Sequence, residues 1–198
     1  MEVRYSWESP ITREVLQAVL GALADYGYSG LTAAEIHART GVAGELLEAA
    51  DLHELVIAAL ERVRAFSPPK PTGSLRGDLR ALLQPWRGGL SPDERAIAAV
   101  LSAAEWDSSL KRAVHAAFDQ PLAEVIGGLL ARAAAAGQAP AAAVHTLNWL
   151  LRSLAVDRLR ASHPRTQVDI DHLVDYLVAG LACATRTECP ASTGANGG

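Results

Sequence analysis

Apolar positions recur at helical spacing from the first ordered-looking stretch onward. Ile11, Val15, Leu16, Val19, Leu20 and Leu23 fall on one stripe of a 3.6-residue helix. Ser9-Pro10 opens it, with Ser as cap and Pro in the first turn. The spacing predicts a helix over about 10–26, then a turn at Tyr26-Gly27-Tyr28-Ser29-Gly30. Thr32 is a good N-cap for a short helix over about 33–40, with Glu35 in capping-box register. Gly41 suits the left-handed position that ends it. A third short helix over about 43–49 follows at once. Asp51 then caps a helix reaching about Phe66, with the stripe Leu52, Leu55, Val56, Ala59, Leu60 and Val63. Short helix, glycine turn and short helix inside a three-helix unit are the grammar of a helix-turn-helix.

Ser67 to Gly73 places three prolines within four residues and cannot continue a helix. The organisation expected is therefore a helix-turn-helix domain over 1–66, a Pro-rich linker over 67–73, and a larger helical domain over 74–184. Residues 185–198, rich in Thr, Ser, Gly and Asn, read as a disordered tail. Within the larger domain, helices are expected over about 74–85, 92–107, 108–136, 141–162 and 169–184, with a turn at Trp86-Arg87-Gly88-Gly89. Pro121 interrupts the long helix, because it has no N–H for the Ala117 carbonyl one turn back. The fold class is all-α, about nine helices with no strand.

Composition adds four points. The chain has 198 residues, 49% of them hydrophobic, enough for one large or two small domains. It has no apolar run of membrane-spanning length and no signal-like N-terminus. Its two cysteines, Cys183 and Cys189, are too few for a disulfide framework, which favours a reducing cytoplasm. Net charge is −4, unevenly spread: residues 1–66 hold five Arg/Lys against ten Asp/Glu. A DNA-contacting surface gains from cations through counterion release, so this sign opposes affinity.

The stretch ITREVLQAVLGALADYGYSGLTAAEIHARTGV resembles the N-terminal part of the TetR family of bacterial one-component transcription regulators. Further on, SLRGDLRALLQPW, LSAAEWDSSLKRAVHAAF, LARAAAAGQ and DIDHLVDYLVAGLA resemble one branch of that family's effector domains. The resemblance implies a homodimer whose helix-turn-helix units read a palindromic double-stranded operator. It also implies a second domain that binds a small organic ligand, whose binding releases the operator. Candidate DNA contacts are Thr32, Arg39, Ala43, Gly44, Glu45, Leu46, Leu47 and His53, with Arg13 as a further cation. Family recognition helices end in an aromatic residue followed by a phosphate-contacting Lys. Here Leu47 or Glu48 stands in the first place and Leu52 or His53 in the second.

The helices expected to wall a ligand pocket carry Trp86, Trp106, His115, Phe118, Leu122, Asn148 and Trp149, a mix of aromatic and polar groups suited to organic ligands. Ordinary core packing explains any one of them as well. Leu147, Leu151 and Leu154 with Leu173, Leu177, Val178 and Leu181 form the candidate dimer interface. His163, Asp169, Asp171 and His172 have ligand chemistry, but Asp169 reads better as a helix cap, so no metal and no cofactor is expected. No nucleophile elbow, phosphate loop or metal-protease motif is present, so the chain does not read as an enzyme. The rival reading is a family-like protein that has lost operator binding and serves as a small-molecule or partner binder.

Overall fold

The computed structural model describes residues 10–42, 47, 51–139, 143–161 and 169–186. The expected helix over 43–49 and the tail beyond 186 lie outside the described residues, Leu47 excepted. Among the described residues every regular element is helical and none is a strand.

The first helix, α1 (Pro10–Tyr26), ends where Gly27 takes a positive φ. The second, α2 (Ala33–Thr40), starts at Thr32, whose hydroxyl accepts from the Glu35 amide at 3.2 Å. It stops at Gly41, φ 68°, whose N–H donates to the His37 carbonyl at 2.8 Å. The next described helix, α3 (Leu52–Leu60), is capped by Asp51, which accepts from the His53 amide at 2.9 Å. It is shorter than the stripe predicts. The chain leaves helical geometry after Arg62 because Ala65 turns its amide away to another element.

The larger part opens at the Ser74 cap of α4 (Leu75–Leu83), followed by a 3₁₀ turn at Gln84–Arg87. Helix α5 (Pro92–Val100) begins with a full capping box between Ser91 and Glu94. A short 3₁₀ turn, Ala103–Glu105, replaces the last turn of the longer helix expected there. The long helix expected over 108–136 is present in three parts. Helix α6 (Ser108–Val114) passes through a π turn at His115–Asp119 into α7 (Gln120–Ala135). Gln120 donates five residues back to His115, and Pro121 follows with no donor. The ladder is thus reset just before the proline, as a π-bulge rather than a simple kink. Helices α8 (Ala143–Arg160) and α9 (Ile170–Arg186) complete the chain.

Helix α1 packs on α3 and α5, α7 lies along α8, and α9 lies on α4. One continuous apolar cluster runs through both parts, from Leu16 and Ile36 through Leu60 and Ile97 to Phe118, Ile126, Leu151 and Val174. The N-terminal unit is therefore seated on the body rather than tethered to it by the proline segment alone.

Candidate DNA-reading unit and its seat on the body

The unit formed by α1, α2 and the start of α3 is anchored from below. Ile36 of α2 and Leu47 are both buried in the shared core (0% and 3% exposed). Leu47 is thus part of the core cluster. Thr32 remains exposed at the start of α2 with its hydroxyl engaged as cap. Ala43, Gly44, Glu45 and Leu46 lie outside the described residues.

Arg39 is held rather than extended. Its guanidinium donates to Asp25 at 2.7 Å and lies 5.5 Å from the centre of the Tyr26 ring. That hydrogen bond to Asp25 raises its pKa further above the usual arginine range. Gly21 makes this possible: a Cβ there would come within 2.9 Å of an Arg39 nitrogen. Such an exposed pair contributes little to stability. Arg13 lies on the first turns of α1 beside a cleft of about 240 Å³, whose floor is Leu16, Leu20, Ala59 and Val63.

His53, in the first turn of α3, faces inward between two elements. Its Nδ1 lies 3.2 Å from the Tyr28 hydroxyl, and its Nε2 lies 3.4 Å from Oδ2 of Asp107. The other oxygen of Asp107 accepts from the amides of Ser109 and Leu110 and so caps α6. Those amide bonds, with His53 beyond them, hold the Asp107 carboxyl below the ordinary range despite some desolvation. Burial and the nearby Asp107 and Asp51 charges push the Tyr28 hydroxyl up, so it carries its proton.

The residues expected around a ligand pocket do not share one surface. Phe118 and Leu122 are buried (2% and 1%), with the Phe118 ring 5.1 Å from Phe66. Trp106 and Trp149 are exposed (92% and 66%). His115 is exposed against Asp119, and Trp86 and Asn148 are half-buried. Asp119 is also bound through two contacts by Arg152 of α8, at 2.7 and 3.2 Å. The π turn is therefore fastened to α8 through Asp119.

Of the residues expected at a dimer interface, Leu147, Leu151, Leu177 and Leu181 are buried within the chain itself. Leu154, Leu173 and Val178 are half-buried. The outward flank of the same two helices carries Trp149 and Tyr176, the latter 78% exposed, together with Ala179 and Gly180. Periodicity alone could not divide the wide apolar stripe between these two uses. The exposed aromatics were the available signal for its outer flank.

Asp169 caps α9, accepting from the Asp171 and His172 amides at 3.0 and 3.1 Å. Asp171 pairs with Arg80 and Arg87, and Arg76 with Asp175, which fastens α9 to α4. His163 lies outside the described residues. Among the described residues no helix is long and apolar enough to cross a membrane.

Residues 69–177 match the family model described as the tetracyclin repressor-like C-terminal domain. The structure is similar to that of a protein from Mesorhizobium loti described as a TetR-family transcriptional regulator. The two share 15% identity, with a TM-score of 0.62 over 89% of this chain and 98% of that one. A transcriptional regulator from Pseudomonas aeruginosa is similar too, at 19% identity and a TM-score of 0.52 over 92% and 96% of the two chains. No curated protein matches the sequence.

Proposed function

The chain belongs to the TetR family of transcriptional regulators, and from that premise we propose that it is a cytoplasmic homodimeric repressor released from its operator by a small organic ligand. The observation that supports the DNA-reading role is local. A Thr-capped α2 ends at a left-handed Gly41, Leu47 is buried in the shared core, and α1 packs on α3. That order suits the first half of a helix-turn-helix. Contacts would come from the start of α2 at Thr32, from Arg39 after exchange with Asp25, and from Ala43 to Leu46. The reading is of a regulator, not an enzyme.

Pairing through α8 and α9 would use their outward flank, around Trp149 and Tyr176, with Leu154, Leu173 and Val178 at its margin. The inward leucines hold the subunit's own core. Ligand binding is assigned to the body, the part that the family model matches.

One observation favours a second reading, a family member without operator binding: the first 66 residues carry twice as many acids as bases. Fluorescence anisotropy against duplex DNA from upstream of its own gene decides between them. Affinity that falls steeply with salt supports the operator reading. No binding at low salt overturns it in favour of the ligand- or partner-binding protein. Glu45→Lys with Glu48→Lys is expected to strengthen nonspecific binding where that segment approaches the duplex.

A further inference from the structure

His53 occupies the position where the family resemblance expects a phosphate-contacting cation, yet both its ring nitrogens are used inside the molecule. Three elements meet at this ring. Tyr28 belongs to the turn between α1 and α2, His53 begins α3, and Asp107 is the cap of α6 in the body.

The Tyr28 hydroxyl lies 3.2 Å from Nδ1 and Oδ2 of Asp107 lies 3.4 Å from Nε2, so the ring faces one polar group on each side. Asp107 divides its oxygens, one to α6 and one to His53, so a displacement of α6 is felt at the ring. The ring in turn holds the turn on which α2 is carried. Asp51, which caps α3 from the neighbouring position, fixes the backbone of His53 itself. Arg112, one turn into α6, adds positive charge beside Asp107 and keeps that carboxylate ionised.

We infer that His53 is a positioning residue: a joint that sets the attitude of the α1–α2 unit relative to the body, rather than a contact to DNA phosphate. The joint has two parts: Tyr28 to the reading unit and Asp107 to the body. The ring is half-buried, and each of its nitrogens has one polar group within 3.4 Å. Its consequence for DNA rests on the operator reading proposed above. In a dimer, the attitude of each reading unit fixes the distance between the two half-sites it can engage.

The test uses the full chain with His53→Leu, which removes both contacts, and His53→Gln, whose amide can accept from Tyr28 and donate to Asp107. Tyr28→Phe, lacking only one oxygen, covers the case in which the leucine variant fails to fold. Hydrogen–deuterium exchange is read in two segments 78 residues of chain apart, around Leu31 and around Ser109–Leu110. His53→Leu is expected to speed exchange by roughly tenfold in both segments together, Tyr28→Phe to act mainly around Leu31, and His53→Gln to restore protection. Unchanged exchange in either segment overturns the joint.

The second readout uses duplexes that the wild-type protein selects from a random-sequence pool. His53→Leu is expected to keep the half-site preference but to lose discrimination against one-base-pair changes in half-site spacing. An unchanged spacing preference with a salt slope shallower by about one would make His53 a phosphate contact and overturn the inference. If the wild type selects no duplex, the operator reading falls, and the exchange result alone decides the joint.

Discussion

The Ala65 amide donates to the Ala117 carbonyl at 3.0 Å, across 52 residues of chain. That carbonyl is available because residue 121 is a proline and offers no N–H one turn on. The exit from α3 is therefore stitched to the π turn of the long helix. Nearby, Phe66 packs on Phe118 and Arg64 reaches Glu124 at 2.7 Å. Pro121→Ala restores a competing donor inside the helix. The Ala65 amide is then expected to exchange severalfold faster while helical content is kept, as read by hydrogen exchange with far-ultraviolet circular dichroism. An Ala65 amide as protected as in the wild type would show that the proline is not what frees the carbonyl.

Phe118 tests whether this region is core or cavity wall. Its ring is 2% exposed and tilted 60° against Phe66. Truncation of a buried aromatic typically costs about 3–5 kcal/mol, and a protein of this size loses roughly 2–4 °C of Tm per kcal/mol. Phe118→Ala is expected to lower Tm by on the order of 10 °C, and Phe118→Leu by much less. A Tm within a degree or two of wild type for the alanine variant would return Phe118 to the surface of a ligand cavity.

The helices and their caps were legible because each start carries its own local chemistry. Ser9-Pro10, Thr32, Asp51, Ser74 and Ser91 were readable as starts, and α1 to α5 begin at or beside them. The breaks inside long apolar runs were less legible. Pro121 announced a disturbance, but the carbonyl it leaves without a donor is taken by Ala65, 52 residues earlier. No window on the sequence contains both. The same holds at His53, whose neighbours Tyr28 and Asp107 stand 25 residues before it and 54 after it. The wide leucine stripes of α8 and α9 were read as interface. Burial of Leu147, Leu151, Leu177 and Leu181 depends on where α4, α5 and α7 lie, which periodicity does not encode.

Asp78 carries a pH-dependent part of the stability. It is 5% exposed and accepts from both the amide and the hydroxyl of Thr72, at 2.7 and 2.8 Å, and from Arg132 at 3.3 Å. Burial alone would raise its pKa. The Thr72 bonds and the Arg132 charge outweigh it and hold the carboxyl below its ordinary value. The close approach requires Gly77, since a Cβ there would meet the Thr72 hydroxyl at 2.2 Å. A depressed carboxyl contributes fully above its unfolded pKa, about 3.9, and the contribution is lost as pH falls through the folded value. Asp78→Ala orphans the Thr72 amide, leaving the hydroxyl the Ser74 carbonyl at 3.2 Å, and is expected to cost roughly 1–3 kcal/mol at neutral pH, measured by urea unfolding. The gap to wild type should close below about pH 4. A gap that is constant with pH would mean that the charge on Asp78 plays no part.

The division of α8 and α9 into an inner and an outer face makes the last prediction. Trp149 and Tyr176 are exposed at 66% and 78%, whereas Leu151 on the same helix as Trp149 is fully buried. Large exposed aromatics on two adjacent helices are costly to leave in water and are common anchors of protein interfaces. A second copy of the chain, related by a two-fold axis, would cover both. Trp149→Glu combined with Tyr176→Glu should therefore give a monomer by light scattering, with wild-type helical content and cooperative thermal unfolding. Leu151→Glu places a charge in the subunit's own core and is expected to abolish cooperative unfolding whatever the oligomeric state. If the double variant remains dimeric, the outward flank is not where the subunits meet. If Leu151→Glu instead yields a folded monomer, the inward leucines are the interface, as their sequence pattern first suggested.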